Sequence, residues 1–170
     1  MASDKIGSTR PVPQLRRSTF DWVMEALAAA ALIYGVILLI PYGDIPDRIP
    51  RHFGASGEAD AWGDKSLLLW LMALSAVLYA GLTVLNRFPH IFNYPWNITD
   101  ENAARQYGLA RSLMNAIKAC VTWIFTYIVY GTLETAYGNA QGLGSGFLPI
   151  ILTGTFVPIA AYLFLAYRSR

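Results

Sequence analysis

The densest chemistry in the chain lies in one segment, PYGDIPDRIPRHFGASGEADAWGDK from Pro41 to Lys65, which sets His52, Glu58, Asp60 and Asp64 against Arg48, Arg51 and Lys65. A histidine beside carboxylates can relay protons or ligate a borderline metal ion. His52 and Asp60 are the candidate ligands, but a closed zinc site wants four donors. The other histidine, His90, falls in a different connection. No metal or other cofactor is therefore expected. Catalysis would need a nucleophile beside an activating base, or a glycine loop that cradles phosphate. Neither pattern stands in the sequence, and the chain is expected not to be an enzyme. In a purely structural reading Asp60 accepts backbone or lysine hydrogen bonds that pin a turn, while Phe53 and Trp62 dip into a bilayer surface. A loop this rich in special residues is also where a rigid scaffold reads a ligand.

A second set of polar residues lies inside apolar stretches: Glu25, Lys118 and Glu134. A charge near a bilayer centre costs about 2.5 to 3.5 kcal/mol on insertion scales, so such residues want partners. Arg111, Asn115, Lys118 and Thr122 follow spacings of four, three and four and share one helical face. If the first and third apolar helices pack together, Glu25 and Lys118 can pair. The alternatives are a Lys118 that snorkels to headgroups and an ion or proton pathway along the polar face. Ser75, Tyr79 and Thr83 add a weaker polar line on the second apolar stretch.

These residues need elements to hold them, and composition names the solvent of those elements. Hydrophobic residues make up 55% of the chain and charged ones 14%, with the charges gathered between apolar blocks. Four such blocks, near 22–40, 66–85, 113–133 and 147–167, match the ~20 residues that cross a hydrocarbon core. They are continuously apolar, not alternating, so helices are the expected solution in lipid. The expected fold is an all-α, four-helix membrane bundle: a polar tail over residues 1–20, then one domain over 21–170 with a turn-rich outer loop between helices 1 and 2. Pro41, Pro46 and Pro50 forbid a regular helix in that loop, and Gly54, Gly57 and Gly63 permit turns. The net charge of +2 is too scattered for nucleic acid. Cys120, the single cysteine, reads as a buried thiol.

Lysine and arginine orient the bundle. Lys5, Arg10, Arg16 and Arg17 in the tail, Arg87, Arg105 and Arg111 around the second connection, and Arg168 and Arg170 at the end outnumber Arg48, Arg51 and Lys65 in the first connection. The positive-inside rule then puts both termini on the cytoplasmic side of the membrane. The first span reads as an uncleaved anchor, since Pro41-Tyr-Gly-Asp44 offers no small-residue cleavage site. Trp22, Tyr42, Trp62, Trp70, Tyr137, Tyr162 and Tyr167 suit the interfaces, and Phe92, Tyr94 and Trp96 are expected to anchor the second connection along the inner one. Residues Asn97 to Arg111 read as a helix entering the third span, capped by Thr99. Ala31 with Gly35, and Ala76 with Ala80, are small-residue pairs suited to internal packing, a homo-oligomer face being the other use. Pro149 and Pro158 should cap and kink the fourth span.

The run IPDRIPRHFGASGEADAWGDKS, from Ile45 to Ser66, resembles the signature of the N-terminal module of SdpI-type bacterial membrane proteins, through Pro50, His52, Phe53, Gly57, Asp60, Trp62 and Lys65. HIFNYPWNITDENAARQYGLARSLM, from His90 to Met114, is similar to the cytoplasmic segment of stand-alone members of that group. The module is catalogued as a domain of unknown function. The resemblance implies immunity to a secreted toxin, coupled to retention of a repressor at the membrane. It also implies an extracytoplasmic peptide or ligand and a cytoplasmic regulator as partners, besides the lipid bilayer. The chain is expected to be a form without the further C-terminal spans. A small transporter or channel component using the polar face of the third helix is the alternative.

Overall fold

The computed structural model describes residues 10–170, so Lys5 and the rest of residues 1–9 of the polar tail lie outside the described residues. Four helices are long and apolar enough to cross a membrane: α1 (Thr19–Leu38), α2 (Ser66–Leu85), α3 (Ala103–Ala136) and α4 (Phe147–Tyr167). Short 3-10 turns follow α1 at Tyr42–Asp44 and α2 at Pro89–Ile91. The expectation of an all-α chain is corrected by a two-stranded antiparallel sheet between α1 and α2, β1 (Arg48–Phe53) and β2 (Ala59–Asp64). Both strands are edge strands, which is why Pro50 is tolerated in β1.

α1 begins in a capping box: Ser18 accepts from the Asp21 amide at 3.1 Å, and the Asp21 carboxylate accepts from the Ser18 amide at 2.8 Å. The centre of the bundle is α3, against which α1, α2 and α4 each pack, while α1 and α2 also touch. Its 34 residues reach about 51 Å at 1.5 Å per residue, well beyond a ~30 Å hydrocarbon core. The excess projects at the end where α1 begins and α4 finishes. There Gln106 Nε2 donates to the carbonyls of Ala166 and Ser169, at 2.9 and 3.0 Å, and ties down the end of α4.

Two further expectations are corrected. The α3 helix starts at Ala103 with Asn102 at its cap position, not at Thr99. The Thr99 amide instead donates to Asn102 Oδ1 at 2.9 Å, and its carbonyl accepts from Ala103. Of the expected interface anchors Phe92, Tyr94 and Trp96, two make defined contacts within the fold. Tyr94 donates to the Pro89 carbonyl and packs on Tyr107, and Trp96 Nε1 donates to Gln106 Oε1 at 2.8 Å, so the connection folds back on α3. Burial among these rings pushes the Tyr94 phenol well above its ordinary pKa. Ala76 and Ala80 lie exposed on the outer side of α2, away from internal packing. The first small-residue pair does pack: Ala31 is fully buried, and a Cβ on Gly35 would fall 2.5 Å from Met72 Cε.

Candidate functional site

At the hairpin end, local chain chemistry sets a lid on the bundle. Arg51 and Asp60 are the extra residues where the register slips from Pro50↔Trp62 to His52↔Ala61 and then Phe53↔Ala59. These bulges turn His52 and Asp60 toward one another, and His52 Nδ1 donates to Asp60 Oδ1 at 2.6 Å. Asp60 therefore takes no lysine. Lys65 Nζ donates to the Ile45 carbonyl at 2.9 Å and pairs with Asp47 at 3.0 Å, stapling the two ends of the hairpin segment. Asp64 accepts from the Ser66 amide at 2.7 Å and starts α2. Hydrogen bonds from the Ser66 side chain and backbone hold its carboxyl below the usual carboxylate range.

Two contacts fix this lid in place. Ile45 and Ile49 plug into the apolar cluster of Leu68, Met72, Val129 and Leu133. On the other side the tip docks on the α3–α4 connection, where the Leu143 amide donates to the Gly57 carbonyl at 2.7 Å and Glu58 bridges Gly142. Gly57 has φ +84, and a Cβ there would lie 2.6 Å from the Gly144 carbonyl oxygen. Only glycine combines that backbone with that approach.

Beneath the lid is a cavity of about 530 Å³. Its floor is apolar, from Leu67 and Leu71 on α2, Ile128 on α3, and Phe147 and Leu148 on α4. Its roof is the hairpin, including Pro50, Arg51, His52, Phe53 and Gly57. The seven sequence-singled residues thus divide. Pro50, His52, Phe53 and Gly57 border the cavity; Asp60 positions His52, Lys65 staples the hairpin, and Trp62 sits opposite Pro50. The floor residues carried no sequence signal, being ordinary apolar members of spans. Among the described residues no group of three or more His, Cys, Asp or Glu is placed to hold a metal.

The opposite half of the bundle is polar inside. Lys118, 1% exposed, donates to Glu25 Oε2 at 2.7 Å and to Thr83 Oγ1 at 2.9 Å, and lies 4.8 Å from the Tyr79 ring centroid. Tyr79 donates to the other Glu25 oxygen at 2.5 Å. The expected pairing is thus present, and Lys118 does not snorkel. Asn115 bridges the helices: it accepts from Asn86 at 2.7 Å and donates to Asp21 at 3.1 Å, while Ser112 also donates to Asp21. Thr122 returns its hydroxyl to its own helix, and Thr126 donates to the Ala31 carbonyl at 2.8 Å. The Ser75 hydroxyl, on the expected polar line of α2, is buried without a partner among the described residues. Glu134 stands apart at the hairpin end of α3, where its carbonyl accepts from Asn139 at 2.8 Å. Asp21, Asn86 and Ser112 were not singled out by sequence, because polar residues at span ends are unremarkable there.

A family described as a domain of unknown function, DUF1648, matches residues 26–77, from α1 through the hairpin into α2. An uncharacterised protein of Archaeoglobus fulgidus is 35% identical over 77 residues, covering 41% of this chain and 42% of that one. The chain therefore spans less than half the length of that relative. No solved structure matches.

Proposed function

We propose that the chain is a non-enzymatic, multi-pass protein of the cytoplasmic membrane, of the SdpI-like immunity or signalling class, which receives an amphipathic ligand or peptide under the hairpin. The observation that carries this reading is the cavity of about 530 Å³, with an apolar floor from three helices and Arg51 and His52 at its roof. That division suits a ligand with an apolar body and a polar end. The DUF1648 match supports it, because that module occurs in SdpI-like membrane proteins and here includes the whole hairpin. With both termini cytoplasmic, as the charge bias favours, the cavity faces the outer leaflet.

A transporter using the polar face of α3 draws on the same buried Lys118 and Glu25. Among the described residues, however, no buried ionisable side chain continues that face toward the hairpin, where the apolar cluster of Ile45, Ile49, Leu68, Met72, Val129 and Leu133 fills the bundle. A receiving site therefore accounts for more of the architecture than a conduit does.

The test fills the cavity. Leu71→Trp places a large ring on its floor. Native mass spectrometry of the chain released from membranes is expected to show a retained amphiphile in the parent and its loss in this variant. Equal retention by both, with the helical circular dichroism unchanged, would defeat the reading.

A further inference from the structure

The end of the bundle where α1 begins and α4 finishes holds a different recess, about 170 Å³ in volume, bordered by Arg17, Arg87, Arg111 and Lys118 together with Glu25 and Thr83. These cations arrive from separate elements: Arg17 just before the α1 cap, Arg87 just past the end of α2, and Arg111 and Lys118 from α3. The one carboxylate on the wall is already engaged, since Glu25 accepts from both Lys118 and Tyr79. Among the described residues no carboxylate forms an ion pair with Arg17, Arg87 or Arg111. The Arg111 guanidinium donates to the Leu15 carbonyl at 3.3 Å and Arg17 lies over the Trp22 ring at 4.8 Å, so both are oriented by uncharged partners.

Guanidinium-bearing side chains that border one concave site repel one another unless an anion stands between them. Their forked donors match the oxygens of a phosphate group, and Arg17 and Arg87 flank the ends of apolar helices, at the level where headgroups lie. We propose that this recess binds a phosphate group, carried by an anionic phospholipid or free in solution. The site is independent of the hairpin cavity and stands or falls without it.

The experiment uses the full chain in a neutral detergent, offered phosphatidylglycerol or phosphatidylcholine and read by native mass spectrometry. The parent is expected to retain phosphatidylglycerol preferentially. Arg87→Gln should weaken that retention about fivefold, the scale of one surface arginine at a lipid headgroup. Arg168→Gln, which removes the same charge from the same end but away from the recess, should leave it unchanged. A separate arm titrates inorganic phosphate without lipid: a rise in melting temperature that Arg87→Gln abolishes assigns the site to soluble phosphate. No lipid preference together with no phosphate response overturns the proposal. So does equal weakening by Arg168→Gln and Arg87→Gln, the signature of diffuse surface attraction.

Discussion

Lys118 and Glu25 show what a buried charge requires here. The ammonium has a carboxylate, a hydroxyl and an aromatic face around it, and the carboxylate has a phenol on its second oxygen. Removing one partner strands the other, which costs about 3–5 kcal/mol in buried pairs, whereas removing both costs far less. Lys118→Met is therefore expected to lower thermal stability in detergent sharply, and Glu25→Gln combined with it to recover most of the loss. A double-mutant cycle with no coupling would show that the pair contributes nothing. The pair was legible because helical spacing put Asn115, Lys118 and Thr122 on one face and Glu25 at a matching depth. The rest of the network was not. Asp21 serves at once as capping residue and as acceptor for Ser112 and Asn115, and only the close approach of α1 to α3 creates the second role.

Between Pro41 and Lys65, prolines and glycines signalled that no helix forms, yet the element that does form was not readable. Strand alternation is broken twice by bulges, and the apolar residues that anchor the hairpin, Ile45 and Ile49, lie among polar ones. Nor does sequence show that the tip meets the α3–α4 connection, a contact between glycines far apart in the chain. Gly57→Val should separate these two pieces, since its side chain would meet the Gly144 carbonyl at a backbone angle valine avoids. The expected sign is faster hydrogen exchange at the Leu143 amide, whose acceptor is the Gly57 carbonyl, with exchange across the Lys118 region of α3 unchanged. Unaltered exchange at Leu143 would mean that the docking does not hold the tip. At the start of α3 the misplaced cap has a plain cause: Thr99 and Asn102 are both competent cap residues, and the turn between them decides.

Across the whole molecule, the number of long apolar helices follows from hydropathy alone, a property summed over each segment and insensitive to local detail. The order of packing does not follow, because lipid-like surfaces give no hint of which helix is central. Length offers the hint in retrospect, α3 being the helix that outreaches a bilayer. The charge bias predicts that reporter fusions at Thr99 read cytoplasmic and fusions at Gly57 read external; a cytoplasmic signal at Gly57 would invert the bundle.

The distance in sequence between Glu25 and Lys118, 93 residues, bears on how the chain is assembled. Synthesis delivers the acid with the first helix and the base only with the third, so a nascent chain halted after α2 carries an acid still waiting for its base. Cut in the connection between α2 and α3, the molecule becomes two fragments of two long helices each, one bearing an unmatched negative charge and the other an unmatched positive one. Each fragment then carries the charge that the other lacks, and the two co-expressed halves are expected to associate more weakly once Lys118→Met removes one of the charges.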